Sequence, residues 1–359
     1  MLPRTDHMSL WKLLATMLLV GAAGCDIPTA LPSWTTEWDL LVVDQKIGTA
    51  DLLPTGVRAD ARGFVIDSFG ATGSIRLGEV CALCTCFDGP IPGLTIAPHD
   101  WPVRLPPGLT EAQLRSGRAR LVLVNEIGFD LLDDGQGGLG WLDVVLIDRY
   151  TDTQIDRRRL TGTFAPGDSL ALEFDLAGRR LHSGLVARVS GQTPGSGGCS
   201  VKLTERSGFT ARVELRDVVA STVDVVVGDA SLALAPRSLE LPAALARRLR
   251  PGDARVALDV EIENLVPTSA ELDLSVAAAA DALFTKAAAL HTPLILRSPT
   301  AAGAADARGL YLLELEGIPE ATRLHFAART RITGSPIVRL KGDEWLEYRL
   351  RLRAEVPIR

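Results

Sequence analysis

From Trp38 to its end the chain is a string of short apolar runs closed by Gly, Pro, Asp or Asn, and this texture limits the fold most. "WDLLVV", "GFVIDSF", "ARLVLVN", "WLDVVLID", "LALEFDL" and "LVARVSG" occupy the first half. "TVDVVVG", "RVALDVEIEN", "LYLLELEG", "LHFAART" and "EYRLRLRAEV" continue the pattern. Runs of this length are strands, and many at close spacing predict an all-β protein built of β-sandwiches with Greek-key or immunoglobulin-like connections. At 47% apolar residues, the chain can fill the core such a fold needs.

The runs come in two sets. Leu105-Pro106 precedes "LRSGRARLVLVN" (Leu114 to Asn125), and Leu241-Pro242 precedes "LRPGDARVALDVEIEN" (Leu249 to Asn264). A short amphipathic helix is expected between the two parts of each block, at "TEAQL" and "AALARRL". Further on, "LEFDLAGRRLHSGLVARVSG" from Leu172 answers "LELEGIPEATRLHFAARTRITG" from Leu313, aligning His182 with His325 and Arg188 with Arg329. Two tandem copies of one sandwich follow, at residues 48–205 and 206–359, after a lead of 25–47 holding a tether and first strand. Residues 275–290 have helix propensity, but their counterpart in the first copy reads as strand, turn and strand, so strands are expected there.

The first 24 residues have the form of an export signal. Arg4, His7 and Lys12 precede an apolar run from Leu13 to Ala23, too short for the roughly 20 residues of a spanning helix. The run ends in Ala22-Ala23-Gly24-Cys25, which resembles the lipobox of bacterial lipoproteins, with Ala in place of the usual Leu. The resemblance implies cleavage before Cys25, a diacylglyceryl group on its thiol, and anchoring in the cell envelope, facing the periplasm or the cell surface. Acyl chains contribute about 0.8 kcal/mol per buried methylene, so two or more make the anchor durable. Asp26 follows, which in some bacteria retains a lipoprotein in the inner membrane.

Without residues 1–24 the chain holds 36 basic and 43 acidic residues, a surface unsuited to nucleic acid. Of the 38 basic residues in the whole chain, 33 are Arg, which reflects a GC-rich genome rather than an arginine-based site.

The densest candidate for chemistry is Cys81-Ala-Leu-Cys84-Thr-Cys86, within an insertion at residues 78–101 that the second copy lacks. With Cys199 these make four thiols. In an oxidising compartment they are expected to form two disulfides, Cys81 with Cys84 or Cys86 and the remaining one with Cys199. A zinc site of all four, or a redox pair at Cys81 and Cys84, is the alternative. Asp130, Asp133, Asp134 and Asp143 punctuate a glycine-rich loop that calcium could use, although its spacing follows no known calcium loop. His99, His182, His291 and His325 fall in no catalytic order or metal-ligand spacing. No catalytic residue, cofactor or metal ligand is therefore assigned, and the chain is expected not to be an enzyme.

Asn264-Leu265-Val266-Pro267, and Asn125-Glu126-Ile127-Gly128 without the proline, faintly resemble the strand ends of late-embryogenesis-abundant type 2 (WHy-like) sandwiches. The resemblance implies a β-sandwich with no catalytic site. An asparagine bonding its own backbone at a strand end explains the same residues. The expected role is a lipid-anchored binding or scaffold module for an envelope protein or glycan. The alternative is a carrier holding a lipid or other hydrophobic ligand between its sheets, and a metal or redox protein is a third reading.

Overall fold

The computed structural model describes residues 34–76, 87–247, 254–299, 308–315 and 322–358. The signal segment, Cys25, Cys81, Cys84 and Cys86 lie outside the described residues. Among the described residues the protein is all-β: antiparallel sheets account for nearly all regular structure, and its two α-helices are single turns, Thr49–Leu52 and Ala243–Ala246. No described helix is long and apolar enough to cross a membrane.

The strands form two units. In the first, β4 (Phe69–Arg76), β14 (Gly208–Val226), β7 (Leu109–Asn125) and β10 (Ser169–Asp175) pair in that order within a larger sheet. A second sheet runs β6 (Leu94–Arg104), β12 (Gly184–Thr193), β8 (Trp141–Asp148) and β9 (Gln154–Leu160). The second unit pairs β1 (Trp34–Gly48), β22 (Trp345–Ile358), β16 (Arg255–Asn264) and β19 (Arg308–Glu314). Its other sheet runs β15 (Leu234–Glu240), β20 (Arg323–Ile332), β17 (Ala270–Ala277) and β18 (Leu290–Leu296). Strand for strand, the orders of the two units correspond. Alternate residues along the central strands are buried, as in β16, where Val256, Leu258, Val260 and Ile262 point inward.

The sheets cross the boundary expected at residue 206. β14 lies downstream of it, yet pairs with β7 and β4 and completes the first unit. β1, expected as a separate lead, pairs with β22 from Gly48↔Trp345 outward and completes the second. The two units are therefore not consecutive in sequence. A strand's partner is set by edge matching and burial, which a linear repeat does not record.

The long strands β7 and β14 weld the units together. Their register shifts near Ser116 and Val219, beside Asp217 at φ 52°, and beyond this bend they leave the first unit. There β14 receives β3 (Gly63–Ile66), itself paired with β2 (Val57–Asp60), and β21 (Ile337–Leu340) from the second unit. Short β11 (Arg180–His182) lines the outer side of β7. Val223, Val225, Val338 and Leu340 are buried in this junction, and Arg339 forks onto Asp224 at 2.7 and 2.8 Å while reaching Glu111 at 3.0 Å.

"TEAQL" is part of β7 in this region, not a helix. Ala112 and Leu114 are buried at a spacing of two while both edges of the strand are paired, and those ladder bonds outweigh propensity. "AALARRL" does begin as a helical turn, with Leu245 buried. Between residues 275 and 290 only the ends are strand. β17 stops at Ala277, a 3-10 turn spans Ala280–Ala282, and the Phe284 amide donates to Ser275 Oγ before β18 begins at Leu290. The strand registers also move two sequence matches. The Leu105 amide bonds Ser183 O and the Leu241 amide bonds Thr322 O, so His325 corresponds to Val186, and Arg329 to Ser190. His182 stands apart on β11.

Candidate apolar-ligand site

One side chain shapes an apolar cavity in the first unit. Asn125 is fully buried at the end of β7, where its Nδ2 donates to the carbonyls of Phe129 (2.9 Å) and Phe164 (2.6 Å). Its Oδ1 accepts the Ile127 amide at 2.9 Å. These bonds fold the chain back on itself through Gly128, at φ +101°. Asp130 ties a second knot, its Oδ1 accepting the amides of Leu132, Asp133 and Phe164. Ile127, Phe129 and Leu131 are thereby turned inward as one wall.

β6 supplies the opposite wall. A register shift between Val189 and Gly191 of its partner β12 marks a bulge before His99. Upstream of it Leu94, Ile96 and Pro98 line the space. The Ile91 amide donates to Ser196 Oγ and Ile91 O accepts the Ser196 amide, holding the chain ahead of β6. Gly195 makes this approach possible, because a Cβ there would lie 2.3 Å from Ile91 O.

The cavity's volume is about 620 Å³, within the range of small-molecule sites. Its floor includes buried Leu203 and Phe209, while Phe87 (39% exposed) and Leu94 (49% exposed) stand at the mouth. Thr95, Thr193 and His99 are the polar side chains on its lining. Thr193 Oγ1 accepts the Gly195 amide, and the His99 ring stands edge-on to Trp101 at 4.7 Å. Among the described residues no Asp, Glu, Lys or Arg side chain lines it, so its chemistry there is burial of apolar surface.

The second unit closes the equivalent end. Asn264 repeats Asn125: its Nδ2 donates to Thr268 O and Arg297 O, and its Oδ1 accepts the Val266 amide. β15, however, starts at Leu234 opposite Ala328, the counterpart of His99 opposite Val189. Residues 94–98 thus have no strand counterpart. In their place the 3-10 turn Asp229–Leu232 folds over, and Leu232 O accepts both Tyr348 Oη (2.7 Å) and Thr330 Oγ1 (2.9 Å). Burial pushes the Tyr348 phenol well up and keeps it a donor. The first unit has Ala211 at the position of Tyr348, two residues beyond the partner of each asparagine.

The residues singled out in the sequence are mostly elsewhere. Cys199 is exposed, directly before β13 (Ser200–Lys202), which pairs with β5 (Asp88–Pro90) at the downstream side of the insertion. Ile75 and Phe87, at either end of the undescribed stretch that carries the other three cysteines, both line the cavity. The acidic loop does not converge on a point. Asp133 and Asp134 accept amides of their own turn, and no described cluster of three His, Cys, Asp or Glu residues is arranged to hold a metal. His182 is clamped between Asp148 and Glu111, each at 3.2 Å, and His291 meets Asp273 at 2.7 Å.

Asp143 has a structural task. Its side chain is 4% exposed and takes Arg159 through two bonds and Arg157 through a third, while Arg159 stacks over Trp141 at 4.4 Å. The Arg159 hydrogen bonds hold its carboxyl down at about 2 from an ordinary 3.8. The unfolded chain therefore takes up this proton first as pH falls. The stabilisation from Asp143 is complete above about pH 4 and lost as pH drops toward 2. Urea midpoints measured across this window should fall less steeply for Asp143→Asn than for the native chain, and parallel curves would remove Asp143 from the acid response.

No protein-family model matches the chain, and no curated protein matches it. Among solved structures it is similar to a presumed secreted protein of Parabacteroides distasonis. That match has 10% identity and a TM-score of 0.31, and covers 89% of this chain and 99% of that one. It is also similar to the tandem CBM22 domains of Paenibacillus barcinonensis Xyn10C, with 10% identity, TM-score 0.20 and coverage of 88% and 97%. Infectious bursal disease virus supplies another at 8% identity and TM-score 0.18, covering 94% of this chain and 46% of that one.

Proposed function

We propose that the chain is a non-enzymatic binding module of the bacterial envelope, anchored through lipid on Cys25, that carries an apolar ligand in the first unit. The cavity carries this reading: about 620 Å³ walled by Ile, Leu and Phe, with Ala211 where the second unit has Tyr348 bonded to Leu232. A ligand there gains from burial of apolar surface, about 25 cal/mol per Å² before the costs of association. The polar groups at its lining suit an apolar body with a single polar end, such as an acyl chain with its headgroup outside. The Ala22–Cys25 motif supports the anchor, and Cys81, Cys84, Cys86 and Cys199 would form two disulfides in an oxidising envelope. A scaffold that uses only its surface has no need of this volume.

The test is titration of the purified chain with a fluorescent fatty acid, beside native and denatured mass spectra. Saturable binding is expected, with at least a tenfold weaker Kd in Ile96→Glu, whose carboxylate would face the apolar wall. The denatured mass should lie four hydrogens below the fully reduced chain. A native chain that neither binds the probe nor copurifies with an apolar adduct would end the carrier reading.

A further inference from the structure

The two units differ at equivalent free edges. Val124 faces Ser169 in the first and Glu263 faces Arg308 in the second, so Ala171 and Glu173 on β10 correspond to Leu310 and Leu312 on β19. Among the described residues β19 is the last strand of its sheet, and these leucines are 68% and 66% exposed. Small or charged side chains normally guard such an edge against pairing, as on β10. Around the leucines the outer face of the sheet is charged and internally paired, with Arg351 on Asp39 and Arg353 on Asp259. Leu41, 54% exposed on β1 at the opposite edge, stands apart from this pair of leucines.

The sequence of β19 complements itself. Its outward residues are Arg308, Leu310, Leu312 and Glu314, alternating with less exposed positions. Two copies laid antiparallel, Tyr311 against Tyr311, place Arg308 opposite Glu314 and Leu310 opposite Leu312, each pair occurring twice. Opposite charges and apolar pairs across a ladder are the favourable combinations. We infer that β19 pairs with β19 of a second copy of this chain, joining two four-stranded sheets into one across the dimer axis. Arg308 bonds Glu261 of β16 within the sheet but keeps its side chain 55% exposed toward a partner's Glu314. The two ends of β19 answer each other only in this two-fold register, which favours a second copy over a foreign strand. Tyr311 braces the edge from within, its Oη donating to Ile295 O of β18 at 3.1 Å. A seven-residue strand pair is small beside the roughly 1,200–2,000 Å² of a standard interface, so a weak, concentration-dependent dimer is expected.

The register gives the experiment. Residues directly opposite have Cβ atoms about 4.5–5.5 Å apart, while diagonal ones lie roughly 7–8 Å apart. Leu310→Cys mixed with Leu312→Cys should therefore oxidise to a 310–312 link, identified by peptide mass, at least tenfold more than either variant alone. Sedimentation over a concentration series should show a dimer that Leu310→Glu abolishes. Both leucines are exposed, so these variants keep the fold. A monomer at every concentration, or 310–310 links as abundant as 310–312, would overturn the inference.

Discussion

Replacing Asn125 with alanine is expected to cost about 3–5 kcal/mol of folding stability, far more than a loop substitution usually does. The change removes three hydrogen bonds at once and leaves the Phe129 carbonyl and the Ile127 amide without partners beneath the surface, while the Phe164 carbonyl keeps only the Leu131 amide at 3.2 Å. Each such group costs roughly 1–3 kcal/mol when buried unpaired. Asn264→Ala should cost a similar amount, because the Thr268 and Arg297 carbonyls and the Val266 amide depend on it in the same way. Urea unfolding measures both. The two variants should part over ligand binding: Asn125→Ala frees the wall of Ile127, Phe129 and Leu131 and weakens the fatty-acid probe, whereas Asn264→Ala leaves it unchanged. A loss below 1 kcal/mol in either variant would show that water or relaxed backbone can replace the side chain.

A chain beginning after Gly48 should lose the second unit. Without β1 the whole edge of β22 is unpaired, and the buried side chains of Val43 and Ile47 leave the core. Amides of β22 and β16 should then exchange at the rate of an open sheet, while those of β8 and β12 stay protected. Adding a peptide of residues 34–48 should restore protection, since the vacant edge is its template. Unaltered exchange in the shortened chain would mean that β1 only decorates the sheet.

The all-β character was legible because alternation and turn residues agree along almost the whole chain. The likeness of the two asparagine-ended strands was legible, and Asn125 and Asn264 perform the same three-bond task. The partners were not, since nothing local distinguishes "WDLLVVDQKIG" as an edge strand for the far end of the chain. The cavity was missed for a related reason. The insertion drew notice through its cysteines, while Ile91, Leu94 and Ile96 between Pro and Gly looked like an ordinary loop. What could have marked them is an apolar excess in a stretch where a solvated loop would be polar. "TEAQL" misled because helix propensity is a property of the segment, whereas its strand form comes from neighbours on both sides.

The pairing of β1 with β22 also sets an order of events. Synthesis makes β1 long before β22, the strand that receives it, so β1 must wait for a distant partner. Until then a strand of 15 residues has no native neighbour, and the closing contact spans almost the whole chain. Contacts of such separation are slow to form and leave edges open to wrong partners. The second unit thus completes itself only once β22 has been made, and a product truncated before Trp345 lacks the strand that receives β1.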